Sequence, residues 1–391
     1  MDYNPFLPEV QANPYPYFAY MRSHAPVYEV PGIGWAISRY DDVVSVIKNP
    51  QLFSSAMLFP TLLGELSPRA LSSSMVSSDP PVHTRLRKLA NRAFTPRRIA
   101  SLESHIRTVT RQLIDNFAAK KEHDLVAEVT IPLPIIVVAE LLGVEPQRYE
   151  DFKRWANAVI YATNNMAIPA EERDGLRRNI ADFCAYFENA IAMYHKQPGD
   201  NLISDLVRAE EENQALTSDE IVSLAILILL AGSETTSHLI AHTVLLFLQN
   251  PDELAKVRAN PALLPNAIEE SLRYESPIQF MFRQITRDTE LAGTALPAGM
   301  MVLALFASAN HDEQKFPDPE RFDITRNTEG HIGFGFGVHF CIGSPLARLQ
   351  ARIALEEFLQ RFPRFALGSG PVTRVESLTV RGLKTLPLVV N

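Results

Sequence analysis

Apolar residues recur at three- and four-residue steps through most of this chain, and strand-like runs are confined to short stretches nearer its two ends. DDVVSVIKN (41–49), PRRIASLESHIRTVTRQLIDNF (96–117) and AIEESLRY (267–274) each carry helical periodicity, with prolines and Asn-Pro steps marking ends. Strand-like segments occur in PVYEV and GWAISRY around Val27 to Tyr40, then in MMVLALF (Met300 to Phe306) and LTVRG near Val380. The pattern predicts a mainly α fold with small β-sheets.

One helix stands apart. Thr217-Ser-Asp-Glu220 supplies a capping box at its start, and Asn250-Pro251 stops it. At ~1.5 Å per residue it spans roughly 48 Å. Its middle, SLAILILLAGSETTSHLIAHTVLLFL, is apolar on nearly every face, which in a soluble protein means a helix running through the core. Ser233, Glu234, Thr235 and Thr236, at its midpoint, therefore need a role other than solvation.

With 391 residues, 46% hydrophobic and 21% charged, the chain can build a large core. It has no internal repeat, low-complexity tract or Gly/Ser linker, so residues 1–391 are read as a single domain. The net charge of -8 gives no general attraction to nucleic acid. The two cysteines, Cys184 and Cys341, form no Cys-x-x-Cys pair, which argues against zinc frameworks and disulfide scaffolds and for a reducing compartment. The first residues read as neither signal peptide nor anchor, and the longest apolar run, Ile221 to Gly232, falls short of the ~20 residues of a bilayer span. A cytoplasmic protein without membrane attachment is expected.

The segment FGFGVHFCIGSPLARLQARIALEEFL (Phe334 to Leu359) begins Gly-rich and ends helical, with Ser344 as the expected N-cap and Pro345 as the first helical residue. Cys341 thus precedes a helix N-terminus, whose partial positive charge favours a thiolate. Glycines at 335, 337 and 343 clear the way for a flat ligand to approach the sulfur. A dinucleotide-binding turn fits poorly, because Gly333, Gly335 and Gly337 lack the G-x-G-x-x-G spacing and no strong strand precedes them.

Here the sequence resembles the cytochrome P-450 family. Phe334-x-x-Gly337-x-His339-x-Cys341-x-Gly343 matches its haem-binding signature at every defining position. Glu270-Ser-Leu-Arg273, the later Pro-Glu-Arg321-Phe322 and Ala231-Gly232-Ser233-Glu234-Thr235-Thr236 match further motifs in the family's order, so the resemblance covers nearly the whole chain. It implies the cytochrome P-450 fold, with haem b between the long distal helix and the proximal helix after the cysteine loop, and Cys341 as iron ligand. Phe334, Gly343, Ala231 and Gly232 would lie at the haem, Gly232 making room for dioxygen. His83, Arg87, Arg283 and His339 would take its propionates. Glu234 and Thr235 would relay protons during oxygen activation, Thr235 bonding the carbonyl near Ala231 and loosening the helix there. Glu270, Arg273 and Arg321 would form a buried structural network.

By the same resemblance, Met57, Leu58, Phe59, Leu62, Ile160, Leu227, Ala231, Ile278, Phe280, Met281 and Leu378 would line a largely apolar substrate pocket. The implied reaction is insertion of one oxygen atom of O2 into a C–H or C=C bond of a lipid, terpenoid, polyketide or xenobiotic. Electrons would come from NAD(P)H through a separate ferredoxin or flavodoxin with its reductase, docked near Lys88, Arg92, Arg97, Arg348 and Arg352 of a monomer. Two other readings are a peroxide-driven relative, against which the Glu234-Thr235 pair argues, and a haem-binding sensor or carrier that performs no oxidation.

Overall fold

The computed structural model describes residues 2–58, 66, 74–118, 123–164, 168–211 and 214–390. Their contacts fall into two compact units, Met1–Phe53, Leu102–Pro134 and Thr235–Asn391 in one, Ser54–Ser101 and Ile135–Glu234 in the other. Helices dominate, and the sheets are small.

In the first unit a five-stranded sheet runs in the order Val27–Val30, Gly34–Ile37, Met301–Ala304, Met281–Ile285, Phe53–Ser54. The early and late strand-like runs thus meet in one sheet, Met301–Ala304 pairing parallel with Gly34–Ile37 and antiparallel with Met281–Ile285. Its apolar face packs on the amphipathic helix Tyr40–Lys48 through Ile37, Val43, Val46, Ile47, Val302 and Ala304, which share one buried cluster. The periodic stretch 96–117 is two helices rather than one, Pro96–Ser101 and Glu103–Ala118, separated by a turn at Leu102.

The second unit is helical at its core. Aromatic residues at helical spacing on Tyr149–Asn164 and Ala170–Lys196 hold it together: Phe183 lies 6.1 Å from both Phe152 and Trp155 and 4.8 Å from Phe187, centroid to centroid.

The long helix is Ser218–Gln249, 32 residues, and its capping box is formed: Thr217 N donates to Glu220 Oε2 at 2.9 Å and Glu220 N to Thr217 Oγ1 at 3.2 Å. Glu220 also pairs with Arg85 of the helix Val82–Ala93. The helix is long and apolar enough to cross a membrane by length and composition, but 67% of its most apolar window is buried within the protein. It stays α-helical without interruption through Ala231–Thr236, so the loosening expected there does not break it.

The buried network differs from expectation in one member. Glu270 and Arg273 are fully buried and paired through two bonds of 2.7 and 2.8 Å. Arg321 contributes its backbone carbonyl to Arg273, while its own side chain is 60% exposed. The second guanidinium on Glu270 is that of Arg326, at 3.2 Å, which also donates to the carbonyls of Pro317, Asp318 and Arg321. Arg273 further donates to Asn310 O at 2.9 Å, and Asn310 Oδ1 accepts from Ile332 N at 2.8 Å. Replacing Arg326 by Ala strips a buried carboxylate of a charged partner and is expected to cost about 1–3 kcal/mol. Arg321→Ala should stay within about 0.5 kcal/mol of the parent, a contrast that thermal unfolding of the two variants checks.

Candidate functional site

Cys341 lies in the loop that leads into the helix Ser344–Arg361. Ser344 is already helical there and the capping position belongs to Gly343, so the expected N-cap shifts by one residue and Pro345 falls in the second helical position. The loop is folded on itself by backbone bonds: Gly335 N to Ile332 O at 2.9 Å, Phe340 N to Gly337 O at 3.1 Å and Cys341 N to Phe334 O at 3.0 Å. Gly335 and Gly337 both have φ of 71°, in the left-handed region that side chains disfavour. Through Ile332, the loop is tied to Asn310 and so to the buried Glu270–Arg273 pair.

The residues present fit a haem held by sulfur. Cys341 is partly exposed and forms no disulfide. A side-chain carbon at Gly343 would stand in van der Waals contact with its Sγ, at 3.8 Å, so the glycine leaves that side of the sulfur without a side-chain neighbour. Phe334, seven residues before the cysteine, is stacked under the Arg348 guanidinium at 4.5 Å and meets Phe340 edge-on at 6.4 Å. His339 is half-buried in the same loop. Arg283, on the strand Met281–Ile285, is 5% exposed and donates to Phe282 O at 2.7 Å.

In the second unit His83 and Arg87 lie one turn apart on Val82–Ala93, with His83 2% exposed. Burial, then the neighbouring Arg87 charge, push the His83 imidazole below its ordinary range against an opposing pull from Asp79. At neutral pH the pair thus offers one cation and one neutral ring N–H, both suited to a carboxylate. Along the long helix, Ser233 and Thr236 are buried, Glu234 and Thr235 half-buried, and Ala231 exposed. At Gly232 a side-chain carbon would come 3.2 Å from Val138 Cγ2, a tight approach that the glycine avoids.

The residues expected at a substrate pocket divide. Met57 is 38% exposed, Leu58 is buried, and Ile160, Leu227, Ile278, Met281 and Leu378 are half-buried. Phe59 and Leu62 lie outside the described residues. Phe280 is 2% exposed, packs edge-on against Phe282 at 5.4 Å and, with Leu378, backs a crevice of about 40 Å³ against Tyr3, Val10 and Phe18. Its ring is thus held by packing within the first unit.

Arg348 and Arg352, expected on a docking patch, already have partners. Arg348 holds Glu269 through two bonds of 2.6 and 2.7 Å, and Arg352 pairs with Glu103 at 3.0 Å and Glu356 at 2.9 Å. His331 adds a 2.9 Å contact to Glu269. Sequence spacing gave no signal for this clamp, because its members are 62 and 79 residues apart.

A family model described as Cytochrome P450 matches residues 149–378. The Cytochrome P450 monooxygenase PikC of Streptomyces venezuelae is 40% identical over 388 residues, covering 96% of this chain and 91% of PikC. Among solved structures, cytochrome P450 CYP109Q5 from Chondromyces apiculatus superimposes with a TM-score of 0.93 at 40% identity, covering 100% of this chain and 98% of that one. CYP109E1 from Bacillus megaterium in complex with corticosterone superimposes with a TM-score of 0.89 at 35% identity, over 98% of this chain and 100% of that one.

Burial alone would raise the Glu269 carboxyl, but the Arg348 and His331 hydrogen bonds outweigh it and hold the group at about 2. A depressed carboxyl stabilises the fold fully above the unfolded value near 4.5, and that contribution fades as pH falls through about 2. Arg348→Ala should therefore unfold at lower temperature than the parent at pH 7, with the two melting curves converging as the pH is taken from 5 towards 2.

Proposed function

Because the chain belongs to the cytochrome P450 family, we propose that it is a haem-thiolate monooxygenase placing one oxygen atom of O2 into a C–H or C=C bond of an apolar small molecule. When bound, haem supplies the redox chemistry that activates O2. Cys341 would hold its iron, the adjoining helix N-terminus favouring the thiolate form. Arg87 and Arg283 would meet the propionate charge, and His83 and His339 would add hydrogen bonds. Glu234 and Thr235 would hold and pass protons from the middle of the long helix, where most of the neighbouring side chains are apolar.

The observation that carries this reading is the cysteine loop, folded on itself by backbone bonds and leading into the start of a helix. The apolar residues Ile278, Met281, Leu227 and Leu378 support a lipophilic substrate, and the corticosterone bound by the Bacillus megaterium relative supports one of polycyclic size. Electrons would arrive from NAD(P)H by a ferredoxin or flavodoxin and its reductase. The chain would work as one haem domain in the cytoplasm, as a monomer.

The reduced protein under carbon monoxide should show the red-shifted absorption band of thiolate ligation, and Cys341→His should lose it. A parent protein whose band stays at the position typical of imidazole ligation would overturn the proposal. Glu234→Gln and Thr235→Ala should each lower product formation about 10²-fold in the presence of a ferredoxin system, with the reducing equivalents appearing as hydrogen peroxide. Turnover by added peroxide should fall much less in both variants.

A further inference from the structure

Glu275 follows the helix Leu264–Tyr274, and its side chain is 11% exposed. The Arg381 Nε donates to its Oε1, and Arg381, itself only 9% exposed, spends its remaining nitrogens on Gln11 O at 2.8 Å and Ala12 O at 3.1 Å. Those carbonyls end the short helix Pro8–Ala12, where a cation is favoured. Arg374 reaches the same carboxylate oxygen at 3.4 Å from a more exposed position. Burial alone would raise the Glu275 carboxyl, but the charges of Arg381 and Arg374 hold it below the ordinary carboxylate range.

The long helix enters the cluster through His242. Its Nδ1 lies 3.1 Å from Glu275 O, and since a carbonyl only accepts, that nitrogen carries the hydrogen. Burial pushes the ring down to about 3, so it stays neutral and adds no charge to the pair. One turn earlier, the His238 ring fills the place of a side chain at Gly382, where a Cβ would fall 2.2 Å from ring atoms.

This cluster sits where two chain segments run side by side. Arg381 N donates to Pro277 O at 2.7 Å, Gln279 N to Thr379 O at 2.8 Å, and Ile278 and Val380 form an isolated bridge. So short a pairing specifies its own register weakly, and a one-residue slip would turn Ile278 and Leu378 to the opposite face. A slip would also part a buried carboxylate from a buried guanidinium, which is strongly disfavoured.

We propose that the Glu275–Arg381 pair is a positioning latch that fixes the register of residues 277–281 against 377–381 and thereby determines substrate specificity. The statement that these segments face substrate rests on the monooxygenase reading, whereas the latch itself is measured without turnover. In the haem-loaded parent and Glu275→Gln proteins, hydrogen exchange is followed by mass spectrometry across both segments, together with spectral titrations using imidazole and the bulky azole clotrimazole. Peptides covering both segments should exchange about tenfold faster in the variant, and by similar factors. The carbon monoxide band should not move. The Kd for clotrimazole should shift by at least about fivefold while that for imidazole stays within about twofold.

Unchanged protection, loosening confined to one segment, or equal shifts for the two probes would overturn the proposal. Arg381→Lys is read in the same way if Glu275→Gln does not retain haem, because lysine keeps the charge but cannot reproduce the three-way bonding. Arg374→Ala leaves the pair intact and should keep the parent's exchange; faster exchange there would also count against the latch. Faster exchange across both segments together with a band typical of imidazole would sink the monooxygenase reading and leave the latch standing.

Discussion

A carboxylate wholly removed from water dictates much of the first unit's construction. Glu270 lies at 0% exposure, and Arg273 and Arg326 supply the hydrogen-bonding cations a buried carboxylate needs. Meeting that demand draws in the backbone of residues 317–323, whose carbonyls and Asp323 N complete the shell. Arg273 then bonds Asn310, Asn310 bonds Ile332, and Ile332 begins the turn that shapes the cysteine loop. An unbroken series of bonds thus connects the buried charge to the segment bearing the sulfur. Rigidity at the sulfur follows from a charge that cannot be left unpaired.

The long helix solves a different problem. A core helix is cheap where its side chains are apolar, and the stretch 221–229 is buried at all but one position. Its polar centre is tolerated because the surface there is open at Ala231 while Ser233 and Thr236 turn into the protein. Anchorage comes from the ends and flanks: the Thr217–Glu220 box with Arg85, the 3.0 Å Thr130–Ser237 hydroxyl contact, and His242 on Glu275 O. These fixings hold in place a helix whose apolar faces would otherwise slide with little directional preference.

What the sequence revealed was whatever depends on local spacing. The capping box, the strands within Val27–Tyr40 and Met300–Phe306, the Glu270–Arg273 pair at i, i+3 and the cysteine loop are all legible from neighbours in the chain. Long-range pairings were not. Arg326 displaced Arg321 on Glu270 because the choice between two arginines five residues apart depends on how the intervening loop turns. Arg348 and Arg352 looked available for a partner until their carboxylates, distant in sequence, were seen beside them. Phe280 and Gly232 show the same lesson for packing: hydrophobicity and smallness say that a residue touches something, and only the fold says what.

The contact between Gly382 and His238 carries an evolutionary consequence. The imidazole ring already fills that spot, so a methyl group at 382 collides unless residue 238 has first become smaller. Drift at these sites is consequently ordered: lineages can trim 238 and later enlarge 382, whereas the reverse path passes through a damaged ancestor. Related chains should therefore carry bulk at one of the two positions but seldom at both.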